Sequence, residues 1–155
     1  MVNEKQPLNA LIINAGQGRQ EAVALGSDIY MSRCISNLYR VLTPEGDVLI
    51  NTGISFNAEE NQRRLDAVSD KPLAKIIFTQ SHEDHIGGWH RFNAPGVETI
   101  AQANFHHVRG YWGGLRPLMA RRSRHLWSRD QTRTVVEQPD PVITTTFLEI
   151  GRAHV

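Results

Sequence analysis

Thr79-Gln80-Ser81-His82-Glu83-Asp84-His85-Ile86-Gly87-Gly88 decides how the chain reads. It follows a short apolar run, Leu73 to Phe78, with β-branched Ile76 and Ile77. A run of that length predicts a buried strand. The glycine pair predicts a sharp turn before a helix begins. His82, Asp84 and His85 are thereby expected on a loop at a strand end, where a rigid sheet positions chemistry. Adjacent Asp84 and His85 can face one metal ion. His82 can face another ion or the far side of the same one. Imidazole nitrogen and carboxylate oxygen together suit zinc, and also iron or manganese. The plainer alternative is a polar surface cluster with no ligand role.

The segment resembles the His-x-His-x-Asp-His metal motif of the metallo-β-lactamase superfamily, with the glycine pair that usually follows it. His82 matches the second His, Asp84 the Asp and His85 the last His, while Gln80 stands where the family has its first His. Upstream, Asn51-Thr52-Gly53 ends a strand where the family usually has Asp-Thr-Gly. Asn51 keeps the hydrogen-bonding shape of that Asp and loses its charge, which suits a role supporting the ligands. Gln80 has the same supporting standing, because an amide is a poor zinc ligand beside imidazole. The resemblance covers roughly residues 35 to 103. It implies an α/β fold, the N-terminal half of an αββα metallo-β-lactamase sandwich. It also implies hydrolysis of an ester-type bond in a small-molecule substrate by metal-activated water, with Asp84 orienting the attacking hydroxide. The stretch around Ala101 to Phe105, with the arginine-rich segment beyond, faintly resembles alkylsulfatase-type members, beside which thioester and lactone hydrolysis stay open. Two readings compete with this one. Gln80 and Asn51 fit a non-catalytic protein that binds a ligand or partner through a degraded metal site. Arg116, Arg121, Arg122, Arg124, His125, Arg129 and Arg133, with Trp127 among them, fit contact with nucleic acid, or more plainly a solvated helix face paired with Asp130 and Glu137.

Working outward, Asp28 to Arg33 and Ile35 to Leu42 predict strands, the second placing Leu38 and Arg40 on one face and Tyr39 and Val41 on the other. Pro44-Glu45-Gly46-Asp47 predicts a turn, since Pro fixes φ and Gly permits a positive one. Val48 to Ile50 then completes a hairpin. Asn57 with Glu60 predicts a capped helix start. Asn61, Leu65 and Val68 are expected inward on that helix, and Arg63, Arg64 and Asp66 outward. Strand, helix, strand in this order predicts a parallel pair with a right-handed crossover. Trp89 to Phe92 reads as a helical turn and Val97 to Ala101 as the next strand. From Asn104 to Trp127 the apolar stripe Phe105, Val108, Trp112, Leu115 and Met119 predicts a helix or a kinked pair, its stripe serving core or subunit contact. His106 and His107 are expected at the surface. Val142 to Leu148 would start another strand. Residues 1 to 27 carry little pattern beyond Leu11-Ile12-Ile13, a short strand candidate, and Asn14 to Arg19, a surface loop.

The 155 residues predict one domain, here residues 1–148. Hydrophobic residues at 40% and charged ones at 21% are ordinary for a globular protein. The net charge of +1 gives no global attraction to nucleic acid or membrane. The single cysteine, Cys34, cannot form an internal disulfide and fits a reducing compartment. The opening residues lack the apolar core of a signal peptide, so cytoplasm is the default. Residues 149–155 have a separate expectation. Glu149 to Val155 can be back-translated as GAG ATC GGA AGA GCA CAC GTC, which from its second base matches a common sequencing-library adapter. Ile150 to Val155 are therefore expected to be non-native, with the domain truncated and His154 discounted as a ligand. A half-sandwich of this kind is expected to expose an apolar sheet face, and so to dissolve poorly or to form a homodimer.

Overall fold

The computed structural model describes residues 15–115, 117–118 and 139–148. They form one seven-stranded sheet in the order β1-β2-β3-β4-β5-β6-β7, the order of the chain itself. The strands are β1 (Val23–Ala24), β2 (Ile29–Ser32), β3 (Leu38–Val41), β4 (Asp47–Ile50), β5 (Leu73–Ile77), β6 (Glu98–Gln102) and β7 (Thr145–Phe147). Pairing is antiparallel from β1 to β4 and parallel from β4 to β7. The change falls where the connections change. β3 and β4 are joined by the Pro44–Gly46 turn, with Gly46 at φ 115°. β4 and β5 are joined by helix α1 (Ala58–Asp66), a crossover that makes strands parallel. After β5 come two single-turn helices, α2 (Glu83–Ile86) and α3 (Trp89–Phe92), and after β6 comes α4 (Phe105–Gly114). No helix among the described residues is long and apolar enough to cross a membrane.

One face of the sheet is closed. Leu38, Leu49, Ile76 and Ala101 are buried there with Leu65 of α1 and Phe92 of α3. Period-2 alternation puts their neighbours Tyr39, Val41, Val48, Ile50, Ile77 and Ile100 on the opposite face. All six are only half-buried.

Buried charge pins α1 to this closed face. Arg40 is 3% exposed and its Nε donates to Asp47 Oδ2 at 2.9 Å. Its other nitrogens donate to the carbonyls of Leu65 (3.0 Å) and Lys71 (2.6 Å) and to Asp66 Oδ1 (3.1 Å). Four of the five N–H donors of the guanidinium are thus used, which is what makes its burial tolerable. Burial pushes the Asp47 carboxyl up. Hydrogen bonds from Ser69 and Arg40, with the Arg40 charge and the Thr43 amide, outweigh it and hold Asp47 below its ordinary range.

Several expectations change at this level. Arg64 points inward and is 2% exposed. It donates to the carbonyls of Arg19 (3.0 Å), Gly16 (2.9 Å) and Arg33 (3.1 Å), tying the otherwise unpatterned segment before β1 to α1. Helical spacing from Asn61 and Leu65 could not separate an outward arginine from one whose partners arrive from elsewhere in the chain. Asn57 occupies the N-cap of α1 with no side-chain cap bond, and its amide nitrogen donates to Cys34 Sγ at 3.3 Å. β1 carried no sequence signal. The stripe of α4 is core only at Phe105, whereas Val108 is 39% exposed. The Leu11 to Ile13 segment, Met119 and the arginines of the basic cluster lie outside the described residues, as do residues 149–155.

Candidate metal centre

The parallel strands β4 and β5 end together, and so does the antiparallel entry to β3, since Tyr39 pairs with Ile50 and Ile50 with Ile77. Three connections therefore meet at one sheet edge: the loop before β3, Asn51–Gly53 after β4, and the segment after β5. Ligand sites in open α/β sheets form at such carboxyl ends.

The segment after β5 is not an open loop. His82 is the extended N-cap of α2, so Glu83, Asp84 and His85 form a helical turn. The glycine pair does not turn through positive φ: Gly87 sits at −61° and Gly88 at −87°. Their reason is close approach. A Cβ on Gly88 would lie 2.2 Å from the Thr52 carbonyl oxygen, and one on Gly87 2.7 Å from the Ser55 nitrogen. Through that contact Thr52 donates both its backbone N–H (2.7 Å) and its hydroxyl (3.1 Å) to the carbonyl of His85.

Asn51 adopts φ 60°, a left-handed conformation that asparagine tolerates. It points its side-chain oxygen at Thr79, accepting from the backbone N–H (3.1 Å) and the hydroxyl (3.0 Å). The same hydroxyl lies 3.3 Å from His85 Nδ1. Asn51 thus acts at one remove, through Thr79, on the imidazole.

His85 Nε2 faces three groups. Gln80 Nε2 lies at 2.5 Å, Ser36 Oγ at 3.0 Å and Asp84 Oδ2 at 3.6 Å. Ser36 also donates its hydroxyl to Asp84 Oδ2 in a short hydrogen bond. Burial pushes the His85 pKa down and the His82 charge adds to this, against the pull of Asp84. His82 does not join the cluster. Its ring packs edge-on against Trp112 of α4, centroids 4.8 Å apart. Among the described residues no group of three or more His, Cys, Asp or Glu side chains gathers to hold a metal. Asp84 Oδ2 and His85 Nε2 stand 3.6 Å apart, and the Gln80 amide nitrogen lies against the same His85 nitrogen. The position that the first two His of the motif would make does not fit, with an amide at Gln80 and His82 turned to Trp112.

The sequence did not point to Ser36 or Arg109. Arg109 Nη2 bonds Glu83 Oε2 at 3.1 Å and Nε bonds Asp140 Oδ1 at 2.7 Å, holding α2 between α4 and the approach to β7. Burial pushes the Glu83 carboxyl above its ordinary range despite Arg109, and its Oε1 is buried without a partner. Arg109 sits at helical spacing from Phe105, and only the acidic residue opposite it would have marked it. His106 and His107 are exposed as expected.

No protein-family model matches the chain, and no curated protein sequence does. Solved structures do. A Cronobacter sakazakii metallo-β-lactamase with a HARLDQ motif superposes with a TM-score of 0.53 at 21% identity, over 65% of this chain and 38% of its own. A subclass B3 metallo-β-lactamase from a soil metagenome library gives 0.50 at 22% identity, over 57% of this chain and 35% of its own. The subclass B3 enzyme of Bradyrhizobium japonicum gives 0.50 at 21%, over 55% and 34%. This chain thus spans less than two fifths of each. Its described residues carry one half of the metallo-β-lactamase fold.

Proposed function

We propose that this chain is part of a metal-dependent hydrolase of the metallo-β-lactamase type that cleaves an ester-type bond in a small molecule, with Asp84 and His85 as ligands of one ion. The supporting observation is the approach of Asp84 Oδ2 to His85 Nε2, 3.6 Å apart, at the carboxyl end of the parallel strands. Zinc matches these donors, and iron or manganese accept the same pair. When bound, the ion supplies a water that ionises near neutral pH and polarises the scissile bond. The chain's own residues prepare that position. Asn51 and Thr79 orient the His85 ring. Asp84 accepts a hydroxyl proton, here that of Ser36, and can hold an attacking hydroxyl group the same way. The His82 ring packs edge-on against Trp112 instead of joining Asp84 and His85.

The test is metal retention and turnover by the purified chain and by the complete product of its gene. Metal content after gel filtration is measured for wild type, Asp84→Asn and His85→Ala, alongside hydrolysis of carboxylate esters, sulfate esters, thioesters and lactones. Retention that both substitutions abolish, with turnover in the complete product, supports the reading. Equal metal content in all three proteins would sink it. A second reading is favoured by Gln80 on His85 and by His82 on Trp112: a non-catalytic protein that binds a ligand through a single remaining ion. One bound ion with no turnover on any substrate supports that reading, and two bound ions exclude it.

A further inference from the structure

The sheet has a second face, which none of the described helices covers. The crossovers from β4 to β5, β5 to β6 and β6 to β7 all step the same way along the sheet. Right-handed crossovers that step one way leave their helices on one side, and that side is the closed face of Leu65 and Phe92. On the other side the strand registers align one continuous row. Met31 pairs with Tyr39, Tyr39 with Ile50, Ile50 with Ile77 and Ile77 with Ile100. Val23 and Thr145 continue the row onto the edge strands. Directly opposed partners share a face. Five large uncharged side chains therefore stand side by side, and all five are half-buried.

Three features suit this face to a second copy of the same chain. The row is balanced about β4, the fourth of seven strands, with Met31 and Tyr39 on one side of Ile50 and Ile77 and Ile100 on the other. A two-fold axis along β4 therefore lays Ile50 on its own counterpart, Tyr39 on Ile77 and Met31 on Ile100, the self-complementarity that an isologous contact requires. The charge on the face is already settled. In the next row Val41 and Val48 extend the apolar surface, while Lys75 and Glu98 pair with each other at 2.9 Å and the Thr145 hydroxyl donates to Glu98. Charges paired within one copy neither repel its twin nor offer a charged handle to a foreign partner. Size then decides strength. Seven strands about 4.8 Å apart and about 15 Å long give a footprint of roughly 500 Å². Two copies would bury on the order of 1,000 Å² in total, the lower limit for a specific interface and the range of weak, transient association.

We propose that the open sheet face is a homodimer interface, in which two copies stack sheet on sheet about a two-fold axis along β4 with their strands aligned to within about 30°. The interface uses none of the side chains of the candidate metal centre, so it stands independently of the metal-binding reading.

Sedimentation equilibrium of the full chain across the micromolar range tests it. A saturating monomer–dimer equilibrium with a micromolar dissociation constant is expected. Ile50→Lys sets two like charges against each other on the axis and is expected to weaken the dimer at least about tenfold. Tyr39→Glu and Ile77→Lys are each expected to weaken it as well. Combined in one chain they set opposite charges across the axis, and the double variant is expected to dimerise more tightly than either single variant. Tyr111→Lys is the control, since Tyr111 is 70% exposed on α4, on the other side of the sheet. Circular dichroism confirms that each variant is folded. A wild-type monomer at every concentration would overturn the proposal, and a lowered melting temperature in Ile50→Lys would then assign the face to a segment of the same chain. Association that passes the dimer without saturating, or that Tyr111→Lys weakens as much as Ile50→Lys does, would overturn it too.

Discussion

Replacing Gly88 by alanine isolates the contact that positions the site. The added Cβ would stand 2.2 Å from the Thr52 carbonyl oxygen and 3.2 Å from the Ala58 Cβ. The first distance is more than an ångström short of van der Waals contact, and the obstacle is backbone, so no side-chain rotation relieves it. The α2–α3 segment must move away from Asn51–Gly53. That motion strains the two bonds from Thr52 to the His85 carbonyl and the bond from the Gly88 N–H to the Gly53 carbonyl at 3.1 Å. Overpacking costs about 1–3 kcal/mol, and each buried hydrogen bond lost costs roughly 0.5–1.5 kcal/mol net. With partial relaxation the sum is about 2–5 kcal/mol. Gly110 is a matched control. It lies inside α4, with nothing within 4 Å of a Cβ built on it. Alanine there is expected to stabilise by roughly 0.5–1 kcal/mol, because glycine loses more backbone freedom on folding. Urea denaturation of both variants therefore reads one substitution with opposite signs. A Gly88→Ala midpoint equal to wild type, with an unchanged denaturant slope, would refute the close-approach account of the glycine pair.

Arg40→Ala leaves Asp47 buried without its cation and is expected to destabilise by about 3–5 kcal/mol in the same assay. Asp47 has a folded pKa held below its ordinary 3.8, so its contribution is present above that value and is lost as pH falls through the folded pKa. Thermal melts from pH 6 downward should therefore show a shallower acid decline in Asp47→Asn than in wild type. His85→Ala is expected to abolish cobalt binding, whereas His82→Ala, whose ring leans on Trp112, should stay within about tenfold of wild type by calorimetry. Arg109→Ala strands the Glu83 carboxylate in a buried setting, and a loss of about 1–3 kcal/mol is expected. Adding Glu83→Gln should restore part of it, and a double variant as unstable as Arg109→Ala would contradict the charge argument.

Much of the fold was legible because its signals are local. The Leu73–Phe78 run, the Pro44–Gly46 turn and the alternation of Leu38 and Arg40 depend only on neighbours a few residues apart. Placement of the motif at a strand end was legible for the same reason, and so was the adjacency of Asp84 and His85. The inward turn of Arg64, the loss of the Asn57 cap to Cys34 and the exposure of Val108 were not. Each depends on a partner 20 or more residues away, or on the lack of one, and periodicity carries no record of that.

The candidate site divides along the same line. The sequence by itself determined which donors are present, the substitution at Gln80, and the glycine pair, which it read as a turn and not as a close approach. Only the tertiary structure decided what those residues do. It turned His82 onto Trp112, brought Ser36 to Asp84 and His85 across a separation of 48 and 49 positions, and linked Asn51 through Thr79 to the His85 imidazole. Ligand identity is a property of side chains. Ligand geometry is set by the hydrogen-bond directions at a sheet edge where three separate connections meet, and that edge exists only once the strands are paired.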